Sequence, residues 1–217
     1  MSEPTVFVVD EDQESRNAIR DLVVTMNLRC ELFAAGAEFL ACFDRARPGC
    51  VVAELRVPGV SGLQIQRLLT TQGSLLPIIF LTAHPDLSLA VEAMRSGALH
   101  FLEKPFRTHE LWNAIQEAIE VNQQRREADA RSSELKRRLD TLTENERHLL
   151  KMLSRGRTNQ EVAAELKVCT RTVEMRRRKL IKKLGVSSLG EVFGPELSGP
   201  HGSEAARRRG LPPVGPD

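Results

Sequence analysis

The chain has 217 residues, 31 Lys+Arg against 29 Asp+Glu, and a formal net charge of +2. With 41% hydrophobic and 28% charged residues it has an ordinary globular composition, sized for one large domain or two smaller ones. Its longest apolar run, Leu75 to Leu81, is broken by Pro77, which excludes a bilayer-spanning helix. The near-neutral total hides an asymmetry: residues 1–120 hold 16 acidic and 10 basic side chains, residues 121–193 hold 10 and 18. An acidic part followed by a basic one predicts two units, the second suited to meet phosphate. The four cysteines, at 30, 42, 50 and 169, form no CxxC pair or metal-ligand spacing. They read as reduced thiols, and with no basic and apolar export signal ahead of Val6 a cytoplasmic protein is expected.

Val6 to Val9 reads as a buried strand, followed by a helix near 14–26 and a short strand near 29–33. A helix is expected near 36–46, then a strand at Cys50–Ala53 and a helix carrying Leu63, Ile65, Leu68 and Leu69. Pro77–Thr82 is the fourth strand, a helix follows near 86–96, and Leu99–Leu102 is the fifth strand before a helix near 106–120. Strands alternating with helices predict an α/β fold: a five-stranded parallel, doubly wound sheet of the flavodoxin-like kind. In such sheets ligands bind beyond the carboxyl ends of the strands.

Residues 1–120 form this first domain. Residues 121–141 lack Gly and Pro and read as a helical linker, in which Leu135, Leu139 and Leu142 leave pairing with a second chain open. Residues 142–193 form a small all-α domain. Thr143-x-x-Glu146, Thr158-x-x-Glu161 and Ser188-x-x-Glu191 each match a capping box, while Gly156 and Gly185 stand at helix C-terminal positions. Lys167 to Cys169 separate two helices with helix-turn-helix spacing. Residues 194–217, rich in Gly and Pro and containing Arg207–Arg209, are expected to be a disordered tail.

At 100° per residue, Val173, Leu180 and Leu184 fall within about 20° of one line, with Arg171, Glu174, Met175, Arg178 and Lys182 on the far side. Seven basic residues stand against one acid between Arg171 and Lys183. A solvated helix face would mix signs; a guanidinium-rich one directly after a helix-turn-helix spacing fits a DNA groove. Arg178 suits guanine O6 and N7, and Glu174 suits a cytosine amino group.

In the first domain Asp10, Glu11 and Asp12 follow the first strand, Glu54 the third and Lys104 the fifth, with Thr82 ending the fourth. Carboxylates gathered on one rim repel unless a cation sits among them, and Mg²⁺ or the ammonium suits that place; polar capping of the strand ends is the plainer alternative.

Val8–Asp12, Glu54–Gly62, Leu81–His84 and Phe101–Phe106 resemble the receiver domain of two-component response regulators. Thr143–Phe193, with Arg171-Thr-Val-Glu174 and Lys183-Leu-Gly-Val186, resembles the LuxR-type helix-turn-helix; together they resemble the FixJ/NarL type along residues 4–193. The resemblance implies that Asp10 and Glu11, with Glu54 and the Arg56 carbonyl, hold Mg²⁺. It implies that Thr82 and Lys104 contact a phosphoryl group, that the Phe101 rotamer follows Thr82, and that the Lys104–Pro105 bond is cis. It further implies that Glu174, Met175 and Arg178 face bases while Thr170, Arg171, Lys179 and Lys182 meet phosphates.

One position departs from the family: the acceptor is aspartate there and Glu54 here. The extra methylene moves the carboxylate toward the place of a phosphoryl group, so Glu54 is expected to imitate a phosphorylated side chain, with constitutive or partner-dependent control. Inefficient phosphorylation of Glu54, or a receiver serving as a scaffold, are the alternatives. The expected protein is a non-enzymatic, homodimeric regulator of transcription that binds double-stranded DNA and answers a sensor histidine kinase. A receiver that sequesters a kinase or regulator with little DNA binding is the second reading. No G-x-x-x-x-G-K-[ST] loop supports nucleotide hydrolysis.

Overall fold

The computed structural model describes residues 3–193, and the expected tail at 194–217, Arg207–Arg209 included, lies outside them. Contacts divide the chain between Asp129 and Ala130. The first unit contains strands β1 (Thr5–Val9), β2 (Arg29–Phe33), β3 (Gly49–Ala53), β4 (Ile78–Thr82) and β5 (His100–Glu103). All pair in parallel in the order β2-β1-β3-β4-β5.

Side chains alternate across this sheet, as a period of two requires. Phe7, Val9, Val51, Ala53, Ile78 and Phe80 line one face and pack with α2 (Gly36–Cys42), α3 (Gly62–Thr71) and α4 (Leu87–Arg95). Val6, Val8, Cys50, Val52, Ile79 and Leu81 line the other, against α1 (Gln13–Thr25) and α5 (Thr108–Asp140). Every residue of β1, β3 and β4 is buried, so these strands read as unbroken apolar runs. Each fully buried Val, Ile or Phe contributes about 1.5–3 kcal/mol relative to exposure. Helix α2 stops at Cys42, four residues short of the expectation, because Phe43 turns extended and the Asp44 carboxylate accepts from the Ala46 N–H (2.8 Å).

Helix α5 continues without a break for 33 residues. In the first unit, buried Asn122 accepts from the Gly49 N–H (3.0 Å) and donates to the Leu75 carbonyl (2.8 Å). One turn later, Arg126 donates to the carbonyls of Arg45, Ala46 and Arg47. Two loops at the start of β3 and β4 are thereby tied to α5.

The second unit contains the end of α5, then α6 (Glu144–Ser154), α7 (Asn159–Leu166), α8 (Thr170–Leu184) and α9 (Gly190–Phe193). Its core joins Leu142, Leu149, Met152, Val162, Val173, Leu180 and Leu184, with Leu135 and Leu139 packed against it. The leucines that left pairing with a second chain open are therefore engaged within their own. Thr143 and Thr158 form the expected capping boxes with Glu146 and Glu161, each cap being worth about 1 kcal/mol. The third box does not form: α9 starts only at Gly190, and Glu191 accepts from the Ser187 N–H (3.3 Å). Between α7 and α8 the chain turns through Lys167, whose φ of 53° places a non-glycine residue in the left-handed region.

Candidate functional site

The strand register brings Val9, Ala53, Thr82 and Glu103 to one edge of the sheet, so the residues just beyond them meet. Asp10 is 1% exposed. It accepts from the Asp12 N–H (3.0 Å), the Ser15 hydroxyl (2.7 Å) and the Lys104 ammonium (2.5 Å). Glu54, 5% exposed, places Oε1 on the Leu55 N–H (2.8 Å) and Oε2 on the Ala83 N–H (3.2 Å) and the Lys104 ammonium (3.0 Å). The Thr82 hydroxyl accepts from the His84 N–H (3.2 Å) and lies close enough to favour the charged form of this carboxylate.

Burial pushes the Glu54 carboxyl upward, but the hydrogen bonds from Thr82 and Lys104, the Lys104 charge and the Ala83 N–H outweigh it and hold it below the usual range. Burial likewise lowers Lys104, and its bonds to Asp10 and Glu54 more than reverse this, so the ammonium is held above its ordinary value. One ammonium thus serves two buried carboxylates, with backbone and hydroxyl donors satisfying their remaining oxygens. Such satisfaction is what makes buried charge tolerable.

The other expected rim residues take different places. Glu11 is exposed, and Asp12 caps α1 by accepting from the Glu14 N–H (3.0 Å). The Arg56 guanidinium lies 4.0 Å from Asp86 while the Arg56 backbone N–H approaches Glu54 Oε1 at 3.4 Å. Phe101 packs on Phe80 with ring centroids 6.4 Å apart, and the Lys104–Pro105 bond is cis. Among the described residues no three His, Cys, Asp or Glu side chains are grouped to hold a metal ion. Of the expected Mg²⁺ set, Asp10 and Glu54 lie at the rim with the Lys104 ammonium between them, and Glu11 faces solvent.

Helix α8 buries Val173, Leu180 and Leu184, the stripe its periodicity predicts. Thr170, Arg171, Glu174, Met175, Arg178, Lys179 and Lys182 are exposed, and most of them line one shallow depression that begins at Cys169. Among the described residues Arg171, Arg176, Arg177, Arg178, Lys179 and Lys182 have no carboxylate partner. Lys183 differs: its ammonium lies 2.6 Å from Glu146, which already caps α6. The four cysteines are free thiols, and no described helix is long and apolar enough to cross a membrane.

Two family models match the chain: the response regulator receiver domain over residues 6–116, and bacterial regulatory proteins of the luxR family over residues 140–193. The chain belongs to the response regulators with a LuxR-type domain. Response regulator protein TodT of Pseudomonas putida is 36% identical over 187 residues, covering 86% of this chain and 82% of that protein. Transcriptional regulatory protein FixJ of Azorhizobium caulinodans is 35% identical, over 86% and 89%. The structure of response regulator StyR is 36% identical with a TM-score of 0.74, over 90% of this chain and 98% of that one. Proteins of this kind are transcriptional regulators with a DNA-binding domain and are not enzymes.

Receiver domains generally hold Mg²⁺ at their phosphorylation site. In this response regulator the Lys104 ammonium lies between the Asp10 and Glu54 carboxylates. Two of the rim's contributors escaped the sequence reading. Ser15 reaches Asp10 from the first turn of α1, and the Ala83 donor is a backbone N–H that no residue type betrays.

Proposed function

We propose that this response regulator controls transcription with a receiver whose signalling charge is built in, Glu54 standing where the family has its acceptor aspartate. The observation that carries this reading is the set of donors on the Glu54 carboxylate. Ala83 and Lys104 donate to it, the Thr82 hydroxyl favours its charge, and Thr82 and Lys104 are the residues that the resemblance assigns to an acceptor phosphoryl group. Phe101, packed inward on Phe80, accords with an engaged Thr82. No step in this reading passes through Mg²⁺.

In the effector, α8 enters the major groove of double-stranded DNA. Glu174, Met175 and Arg178 face base edges, while Thr170, Arg171, Lys179 and Lys182 meet phosphates. Two copies bind a two-fold operator, because one such helix reads too few base pairs. Leu87, Val91 and Met94, 82%, 42% and 46% exposed along one side of α4, support pairing through the receiver. Function in the cytoplasm and a sensor kinase as partner belong to the same reading.

The test is incubation with a small phosphodonor and Mg²⁺, read by intact mass and dimer state, for the natural chain, Glu54→Asp and Glu54→Gln. The natural chain is expected to gain no phosphoryl group and Glu54→Asp to gain one. A phosphorylated Glu54 on which dimerisation depends would sink the built-in charge. Full DNA binding by Glu54→Gln would sink it too.

A further inference from the structure

The last turns of α5 do more than join two domains. Leu135 and Leu139 pack on the effector core, and between them Arg138 reaches the far end of α8. Its Nη1 donates to the Leu184 carbonyl (3.1 Å), and its Nε donates to Glu134 (2.6 Å), one turn back on the same helix. The last carbonyls of a helix lack partners within it and carry its negative end, so a guanidinium there meets both needs.

Gly185 is shaped around this contact. Its φ of 67° ends α8 in the left-handed region, and a Cβ added there would lie 1.4 Å from Arg138 Nη1. Glu134 is held well below the usual carboxylate range, at about 2, by its hydrogen bonds from Arg137 and Arg138. These residues precede the segment matched by the luxR-family model, which starts at residue 140.

We propose that Arg138 is a positioning residue for DNA recognition: aimed by Glu134, it holds the C-terminal end of α8 and so sets where Glu174 and Arg178 fall along the groove. The proposal rests on the reading of α8 as the DNA-contacting helix. Base-edge hydrogen bonds discriminate only when well aligned, whereas phosphate contacts tolerate small shifts. Losing the tether therefore harms specific binding more than non-specific binding.

The experiment uses the full-length chain and a duplex that the natural protein selects from a random-sequence pool, with unselected duplex as the non-specific probe. Arg138→Ala is expected to weaken binding to the selected duplex about tenfold and to unselected duplex less than about twofold, with the salt dependence unchanged. Arg138→Lys, which keeps one donor for the Leu184 carbonyl, should recover most of the loss. Gly185→Asn tolerates the left-handed backbone but displaces the guanidinium, and should reproduce the Arg138→Ala phenotype.

A salt slope shallower by about one phosphate would make Arg138 a DNA contact and overturn the proposal, as would equal losses on both duplexes or none. Arg178→Ala, measured alongside, separates the two readings. If it too leaves binding unchanged, or if no duplex is selected, DNA recognition by α8 falls and this role for Arg138 with it.

Discussion

At the rim of the sheet, Asp10 and Glu54 are buried, Lys104 is partly buried, and their polar atoms are taken up by one another and by neighbouring donors. On α8, six of the seven cations stand in solvent with no carboxylate partner among the described residues, and only Lys183 is paired. The first arrangement fixes a charge state, each carboxylate being held by specific donors. The second leaves charge available, and its binding energy is released only when phosphates displace counterions. Charge in this chain therefore has two uses, and the exposure of the partner atoms distinguishes them where net charge does not.

The sharpest way to break the contrast is to remove the shared cation. Lys104→Met leaves two buried carboxylates facing one another, and a loss of about 3–5 kcal/mol in urea unfolding is expected. A loss below about 1 kcal/mol would mean that the rim is solvated and its charges are not interdependent. Next in size is the side of α8 proposed to face bases. Arg178→Ala should cost about 1–3 kcal/mol of binding to a selected duplex, against a much smaller loss on unselected DNA. Equal losses on the two would move Arg178 among the phosphate contacts.

The pH dependence sharpens the rim. Glu54 is depressed in the folded chain, so its contribution is complete above the ordinary carboxylate value of 4.5 and is lost as pH falls through the lower folded value. Lys104 is raised, so its contribution is complete below its ordinary 10.5 and is lost as pH climbs through the higher folded value. The stability difference between the natural chain and Glu54→Gln should therefore be flat through neutral pH and shrink on acidification below 4.5, as urea midpoints at a series of pH values would reveal. A difference that instead shrinks between pH 6 and 8 would mean a group other than these two governs the rim.

The smallest effect distinguishes two neighbours. Lys182→Ala should reduce the salt slope of DNA binding by about one phosphate, whereas Lys183→Ala, its charge already engaged by Glu146, should leave that slope alone. The Lys183–Glu146 pair is about a third exposed, so its removal should cost no more than about 0.5 kcal/mol in stability.

Local chemistry made much of this legible in the sequence. The apolar runs of β1, β3 and β4, the boxes at Thr143 and Thr158 and the stripe of Val173, Leu180 and Leu184 all depend on residues within about three helical turns of one another. The contacts that were not legible are distant ones. Lys104 meets Asp10 across 94 positions and Asn122 meets Gly49 across 73, and no periodicity records such partners. Two local signals also went astray. Ser61-x-x-Gln64 forms a capping box that was overlooked, since Gln is a less conspicuous partner than Glu, whereas Ser188-x-x-Glu191 fits the pattern at a helix that starts two residues later. For the rim, the sequence showed which residues converge and that an ammonium suits their midst, but not which backbone N–H groups complete the donor set or that Glu11 would face solvent.

The uninterrupted α5 also bears on how genes for such proteins recombine. A crossover at residue 116 or 122, where the receiver match has ended, would exchange Asn122 or Arg126 and detach the helix from the loops before β3 and β4. One at 140, where the luxR-family match begins, would exchange Leu135, Arg138 and Leu139 and leave the effector core uncovered. A junction between about residues 127 and 133 keeps Asn122 and Arg126 with the receiver and Glu134, Leu135, Arg138 and Leu139 with the effector. Functional chimaeras of this architecture should carry their junctions in that window, in the middle of a helix and not at either domain's nominal edge.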